Sequence, residues 1–304
     1  MTRRKQRLAF TITEVLVSVA IAGFLFALIL PGVQSARQSA QRVSCANNLR
    51  QLGVALHSHE MQTGVLIRTT RYGEALIPFI DPTLVLSEAE AQQGSLNKRV
   101  PFWQCPADGR TISINGKTFT GRTNYHINRG TGYQRFDLNG LIDIAGGTRS
   151  SDISDGLSNT AAFAEALWHY PILSSVELSQ TKRVMWDTLN ARHDSAELDS
   201  FVRLCEEVPH TAMHGRAGLL GFDPRTLDLN QYDHLMRPNS WSCWNDQSVG
   251  ANVLYSALTP TSNHPGGVNV VFCDGHLQFI GDSIDLKTWR ALGSRNGMDI
   301  PGPF

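Results

Sequence analysis

Residues 15–33 are apolar at nearly every position and only weakly broken by Ser18, whereas residues 1–9 carry Arg3, Arg4, Lys5 and Arg7 with no acid. A helix rises about 1.5 Å per residue, so residues 10–33 reach about 36 Å, enough for a hydrocarbon core of about 30 Å. The basic end is expected to stay cytoplasmic and everything after Val33 to lie outside. Helical spacing then continues over residues 34–57, through Ala36, Ala40, Val43, Leu49, Leu52 and Leu56. Pro31-Gly32 predicts a kink, and the three leucines predict a face that docks on a domain, with Arg37, Arg42 and Arg50 on the wetter side.

Between residues 61 and 101 the sequence is mixed. Glycines recur among Ile, Phe, Tyr and Leu from 111 to 147, as in short strands joined by turns, and a short helix is expected near Glu88 to Gln93. Near the C-terminus, two apolar runs flank Asp274-Gly275, which predicts a hairpin with a two-residue turn. That turn would set Phe272 opposite Leu277 and Val270 opposite Phe279, making one apolar face. The expected fold class is α+β: a long N-terminal α-helix, transmembrane and then amphipathic, packed on a mainly antiparallel β-sheet head. The expected organisation is a leader at 1–9, a helix at 10–60 with its membrane part at 10–33, and an extracytoplasmic head at 61–304.

Composition narrows the function. Lys plus Arg and Asp plus Glu both total 27, so no protein-wide field attracts nucleic acid, and no nucleic-acid partner is expected. The five cysteines, Cys45, Cys105, Cys205, Cys243 and Cys273, include no close Cys-x-x-Cys pair. In an oxidising compartment they can supply one or two disulfides. Cys205 with Cys243 is the pair expected, although spacing does not fix connectivity.

Glu14 does not suit a plain anchor, because a carboxylate inside a bilayer costs about 3 kcal/mol or more without a partner. A cut between Ala9 and Phe10 would create an α-amine that the Glu14 of a neighbouring subunit could meet. Snorkelling into headgroups is the alternative. The run Ala9-Phe10-Thr11-Ile12-Thr13-Glu14-Val15-Leu16-Val17 resembles the cleavage and methylation motif of type IV prepilins and type II secretion pseudopilins. The resemblance implies processing at Ala9 and Phe10 by a prepilin peptidase, methylation of Phe10, and an assembly role for Glu14. Where that family usually has Gly before the cut, this chain has Ala9. An ordinary signal peptide competes with this reading, but the apolar run exceeds the about 7–15 residues of an h-region and leaves Glu14 without a role.

His264, followed after nine residues by Asp274-Gly275, resembles the C-terminal processing-associated His/Asp-Gly motif of a large bacterial prepilin-like family of unknown function. Further pieces of that pattern occur in order: Cys45 to Gly53, Cys105-Pro-Ala-Asp108, Asn124-Tyr125, and Ser151 to Thr160 with Glu165. His264, Asp274 and Gly275 are read as structural. His264, Asp274 and His276 could be offered as zinc ligands, and Asp152 or Asp155 as calcium ligands, but Asp274 in a tight turn commonly bonds its own backbone, so no metal and no cofactor are expected. No Gly-x-Ser-x-Gly, His-Glu-x-x-His or phosphate-loop motif occurs.

The expectation is a non-enzymatic pilin-like or pseudopilin-like subunit of the inner membrane, single-pass, or extracellular after assembly. Its partners would be the prepilin peptidase, other pilin-like subunits and the membrane. The alternatives are a signal-anchored hydrolase in which His264, Asp274 and Ser262 converge, and a polymer-binding module built on Trp168, Trp186, Trp241 and Trp244.

Overall fold

The structure is a computed structural model that describes residues 11–68, 72–84, 100–109, 112–114, 117–119, 123–132, 139–142, 146–167, 185–187, 198–207, 213–214, 230–245, 255–298 and 301–304. The helix expected near Glu88 to Gln93 lies outside the described residues. The chain divides into two compact units, Met1–Val43 and Ser44–Phe304.

Helix α1 (Ile12–Thr63) runs unbroken through Pro31. Its first half follows the rule for a helix apolar all round: the large hydrophobics between Ile12 and Val33 are 51–81% exposed. The helix is long and apolar enough to cross a membrane. Its last part, inside the second unit, is different. Cys45, Leu49, Leu52, Leu56 and His59 are buried at intervals of three and four residues, one stripe of the helix surface. Burying each of the three leucines contributes roughly 1.5–3 kcal/mol. Arg37, Arg42 and Arg50 are exposed. Gly64 ends α1 in the left-handed conformation with φ +78°, its N–H donating to Glu60 O at 2.8 Å, as a C-terminal glycine cap does.

The stripe docks on a five-stranded sheet. In chain order the strands are β1 (Ile112–Ile114), β2 (Lys117–Phe119), β3 (Tyr125–Asn128), β4 (Ala161–Glu165), β5 (Met185–Asp187), β6 (Met213–His214), β7 (Gln231–Tyr232), β8 (Ser242–Asn245), β9 (Tyr255–Ala257), β10 (Gly267–Phe272) and β11 (Leu277–Gly281). The main sheet has the order β11-β10-β4-β3-β7, antiparallel except for the parallel β3–β7 pair. Strands β3, β4 and β10 are buried along their whole length, as expected of central strands covered on both faces. On one face Tyr125, Ile127, Phe163 and Val271 pack with Leu49, Leu52 and Leu56 of α1 and with Tyr72 and Leu76 of α2 (Tyr72–Ile80). On the other, Ala164, Val268, Val270, Phe272 and Ile280 pack with Trp289 and Leu292, at and just beyond α4 (Leu286–Ala291).

A second sheet, β6-β5-β8-β9, is covered by α3 (Leu198–Glu207) through Phe201, Val202 and Cys205. A disulfide joins Cys205 to Cys243 of β8, closing a separation of 38 residues. Arg129, just past β3, links the sheets with a buried ion pair to Asp233 at 3.0 Å and a bond to Ser256 O of β9 at 2.9 Å.

The β10–β11 hairpin corrects the expected register by one residue. Val271 faces Leu277 and Asn269 faces Phe279, while Val270 faces Gln278. Phe272 N donates to His276 O, and Gly275 N donates to Phe272 O, so the loop has three residues, Cys273-Asp274-Gly275, with Gly275 alone at positive φ (+87°). This is a type I turn followed by a left-handed glycine, not the primed turn that would need positive φ at Asp274 too. Asp274 is held by its own side chain, whose Oδ1 accepts from His276 N at 3.0 Å. The slip sets Leu277 beside Val271, on the face that meets α1, instead of opposite Phe272.

Candidate functional site

A buried polar cluster beside the α1 docking face gathers residues from five separate stretches of sequence. Cys45 on α1 forms a disulfide with Cys105, which follows a 3-10 turn at Pro101–Trp103; their Cα atoms are 5.0 Å apart and 60 positions separate them in sequence. Closing a loop of that length stabilises the folded chain by about 4 kcal/mol in the chain-entropy picture. Glu165 ends β4, and His264 sits in the loop that enters β10. Relative exposures are 0% for Cys45, 6% for Cys105, 2% for Glu165 and 3% for His264.

A buried carboxylate needs partners, and Glu165 has them. Oε1 lies 3.2 Å from His264 Nε2 and accepts from Asn269 Nδ2 at 2.9 Å; Oε2 accepts from Asn269 N at 2.9 Å. The other side of the same imidazole nitrogen faces Cys105 Sγ at 3.7 Å. The loop is aimed by Ser262, whose Oγ donates to Gly267 O at 2.6 Å and accepts from His264 N at 3.1 Å. Around Cys105, Asn124 Oδ1 accepts from Cys105 N at 3.0 Å while Asn124 Nδ2 donates to Ala166 O at 3.0 Å and to Asp108. Asn48 of α1 donates to Gln104 O at 3.2 Å and to the Tyr125 hydroxyl at 3.0 Å. Burial, reinforced by the charge of Glu165, pushes the Tyr125 phenol far above its usual range, so it stays protonated.

Among the described residues His264 and Asp274 share no hydrogen-bond partner. Asp274 bonds His276, its Oδ1 lying 2.6 Å from His276 Nδ1, and Gly275 makes the turn. Cys205 and Cys243 form the second disulfide, under α3. Asp155 accepts from Ser294 Oγ, Gly297 N and Met298 N at 2.8–2.9 Å, so its oxygens hold the C-terminal segment in place. Asp152 accepts from Arg149 N. Trp241 is half-buried against the α3 cluster; Trp168 and the side chains of Trp186 and Trp244 lie outside the described residues. Ala9 and Phe10 lie outside them as well.

Glu14 acquires a role that the sequence reading missed. It closes a capping box with Thr11: Thr11 N donates to Glu14 Oε2 at 2.9 Å and Glu14 N donates to Thr11 Oγ1 at 3.3 Å. The signal was present as Thr-x-x-Glu before the apolar run. The grouping of Cys45, Cys105 and Glu165 around His264 was also missed, although every one of them lies in a motif segment quoted above; sequence separation hid their convergence.

An α+β head that follows an apolar helix, one with the make-up of a membrane anchor or signal sequence, defines the class. Residues 34–66 and 80–287 match the family described as protein of unknown function (DUF1559), and the chain belongs to that family. No curated protein and no solved structure matches it.

Proposed function

We propose that this protein is a membrane-anchored, prepilin-like structural subunit, cut between Ala9 and Phe10 by a prepilin peptidase and assembled through its N-terminal helix in a type IV pilus-like or type II secretion-like system. The observation that carries the reading is the change of character within one helix. Residues 12–33 of α1 expose apolar side chains on every side, and from Cys45 onward the same helix buries a single stripe. A helix apolar all round needs lipid or other apolar helices around it, and a pilin-like subunit meets both. Membership of the DUF1559 family and the Phe10-to-Val17 motif are consistent with this role. The head has a structural, non-enzymatic part: Glu165 and His264 are buried and engaged with one another.

The test is the N-terminal residue of the mature protein, by intact mass and terminal peptide sequencing of membrane and extracellular fractions. N-methyl-Phe10 supports the proposal. Met1 reduces the helix to a simple anchor, and a start beyond Ser35 makes the protein secreted, with its function in the head; either result overturns the assembly reading.

A further inference from the structure

One ligand atom from each of Cys45, Cys105, Glu165 and His264 lies within 4.8 Å of the other three. We propose that, when the Cys45–Cys105 bond is reduced, these four side chains form a closed tetrahedral site for a zinc-type divalent cation.

The donor set is the first argument. Two thiolates, an imidazole and a carboxylate are ligand types that zinc accepts, and the thiolates discriminate against calcium and magnesium. Geometry is the second. With metal–sulfur bonds of about 2.3 Å and metal–nitrogen and metal–oxygen bonds of about 2.0–2.2 Å, a tetrahedron has a sulfur–nitrogen edge of about 3.6 Å and a nitrogen–oxygen edge of about 3.4 Å. The corresponding distances are 3.7 Å from Cys105 Sγ to His264 Nε2 and 3.2 Å from His264 Nε2 to Glu165 Oε1. The two sulfurs, bonded to one another in the disulfide, have to separate, and the remaining edges lie within 4.8 Å. Support around the ligands is the third: Asn269 holds both oxygens of Glu165, and Asn124 pins the backbone of Cys105, the outer contacts that orient metal ligands. All four residues are buried, so the site has the closed character of a structural centre.

A trialkylphosphine and one water reduce the disulfide, giving the phosphine oxide and two thiols. Binding Zn²⁺ then forms two metal–sulfur bonds and releases the two thiol protons, while His264 binds through Nε2 with its remaining proton on Nδ1. Disulfide and metal exclude each other, and each clips α1 to the segment after Trp103. A chain whose thiols have not yet oxidised would therefore be held at the same place.

The experiment uses the full chain in detergent micelles, carrying Cys205→Ser and Cys243→Ser so that the other disulfide contributes no thiols. After phosphine reduction and its removal, the chain is titrated with Zn²⁺ alone and, separately, with Co²⁺ to read thiolate charge-transfer and tetrahedral d–d absorption. Expected is one metal per chain, taken up only after reduction, with affinity weakened at least about tenfold in Glu165→Gln, which keeps the size of the side chain but removes its charge and one acceptor oxygen, and in His264→Gln. Circular dichroism reports whether each variant keeps its fold. The proposal is overturned if the reduced parent takes up no stoichiometric metal, if cobalt shows no tetrahedral thiolate spectrum, or if folded Glu165→Gln and His264→Gln both bind as the parent does.

Discussion

Gly53 of α1 rests against Gly275 of the β10–β11 turn: a Cβ on Gly53 would stand 3.2 Å from Gly275 Cα and 3.1 Å from Val271 Cγ2. The helix therefore approaches the hairpin so closely that a side chain at position 53 would crowd both neighbours. Gly53→Ala sets a helix-propensity gain of about 1 kcal/mol against this crowding and is expected to stay within about 1 kcal/mol of the parent, whereas Gly53→Leu is expected to lower stability by about 1–3 kcal/mol through overpacking. Val54→Ala, one position on but exposed, should stay within about 0.5 kcal/mol of the parent. Urea unfolding of the three variants in one detergent checks this; equal midpoints for Gly53→Leu and Val54→Ala would show that the helix does not dock there.

Glu14 can act as a cap, as an ionic partner for a neighbouring subunit, or as both, and two substitutions separate the roles. Gln at position 14 still closes a capping box but carries no charge. If a neighbour's amine is the partner, Glu14→Gln should abolish co-purification of differently tagged subunits while membrane insertion and helicity persist. Thr11→Ala should instead cost about 0.5–2 kcal/mol of helix-end stability and leave subunit association in place. Crosslinking yield and helical circular dichroism are the two readouts.

Replacing Cys205 and Cys243 by Ser is expected to loosen α3 and leave the five-stranded sheet standing, because the bond ties α3 to β8 alone. The chain-entropy estimate for a separation of 38 residues is about 4 kcal/mol. Hydrogen exchange should accelerate over residues 198–207 and remain slow over β3, β4 and β10. Uniform acceleration would mean that the two sheets unfold together.

Acid should destabilise the head. Burial pushes the His126 imidazole down to about 4 and the His234 imidazole down to about 3, against the backbone bonds from Gln231 and Trp289 that pull each upward. Unfolded histidine titrates near about 6.5, so below that pH the unfolded chain takes up protons that the folded chain refuses. Stability is thus lost as pH falls from about 6.5 towards 4, at about 1.4 kcal/mol per pH unit for each histidine. Asp233 opposes this: burial raises it to about 6 despite Arg129, so its contribution is present at low pH and is lost as pH rises through 6. Between about pH 4 and 6 it offsets one of the two histidines, leaving a net loss on acidification. Urea midpoints at about pH 7 and pH 5 measure the difference, and a flat profile would mean that neither imidazole is buried neutral in the folded chain.

Much of the fold could be read along the chain because it follows from local periodicity. The apolar run after a basic start marked a helix able to span a bilayer, and Leu49, Leu52 and Leu56 marked its docking stripe, since helical geometry alone puts those positions on one side. The hairpin between β10 and β11 was visible for the same reason, as two apolar runs around Asp274-Gly275. Its register was not. The loop takes three residues, with the Asp274 side chain accepting from His276 N, and that choice sets Leu277 opposite Val271 instead of Phe272.

The sequence by itself determined the α+β class, the long helix and the chemical types at the motif positions, because each depends on neighbours a few residues away. Tertiary structure alone decided that Cys45, Cys105, Glu165 and His264 meet. Their meeting depends on α1 seating its stripe on one face of the sheet while β4 and the loop before β10 end beneath the same spot. Those contacts join residues from 60 to 159 positions apart, and no local period encodes which distant strand will lie under which turn of helix.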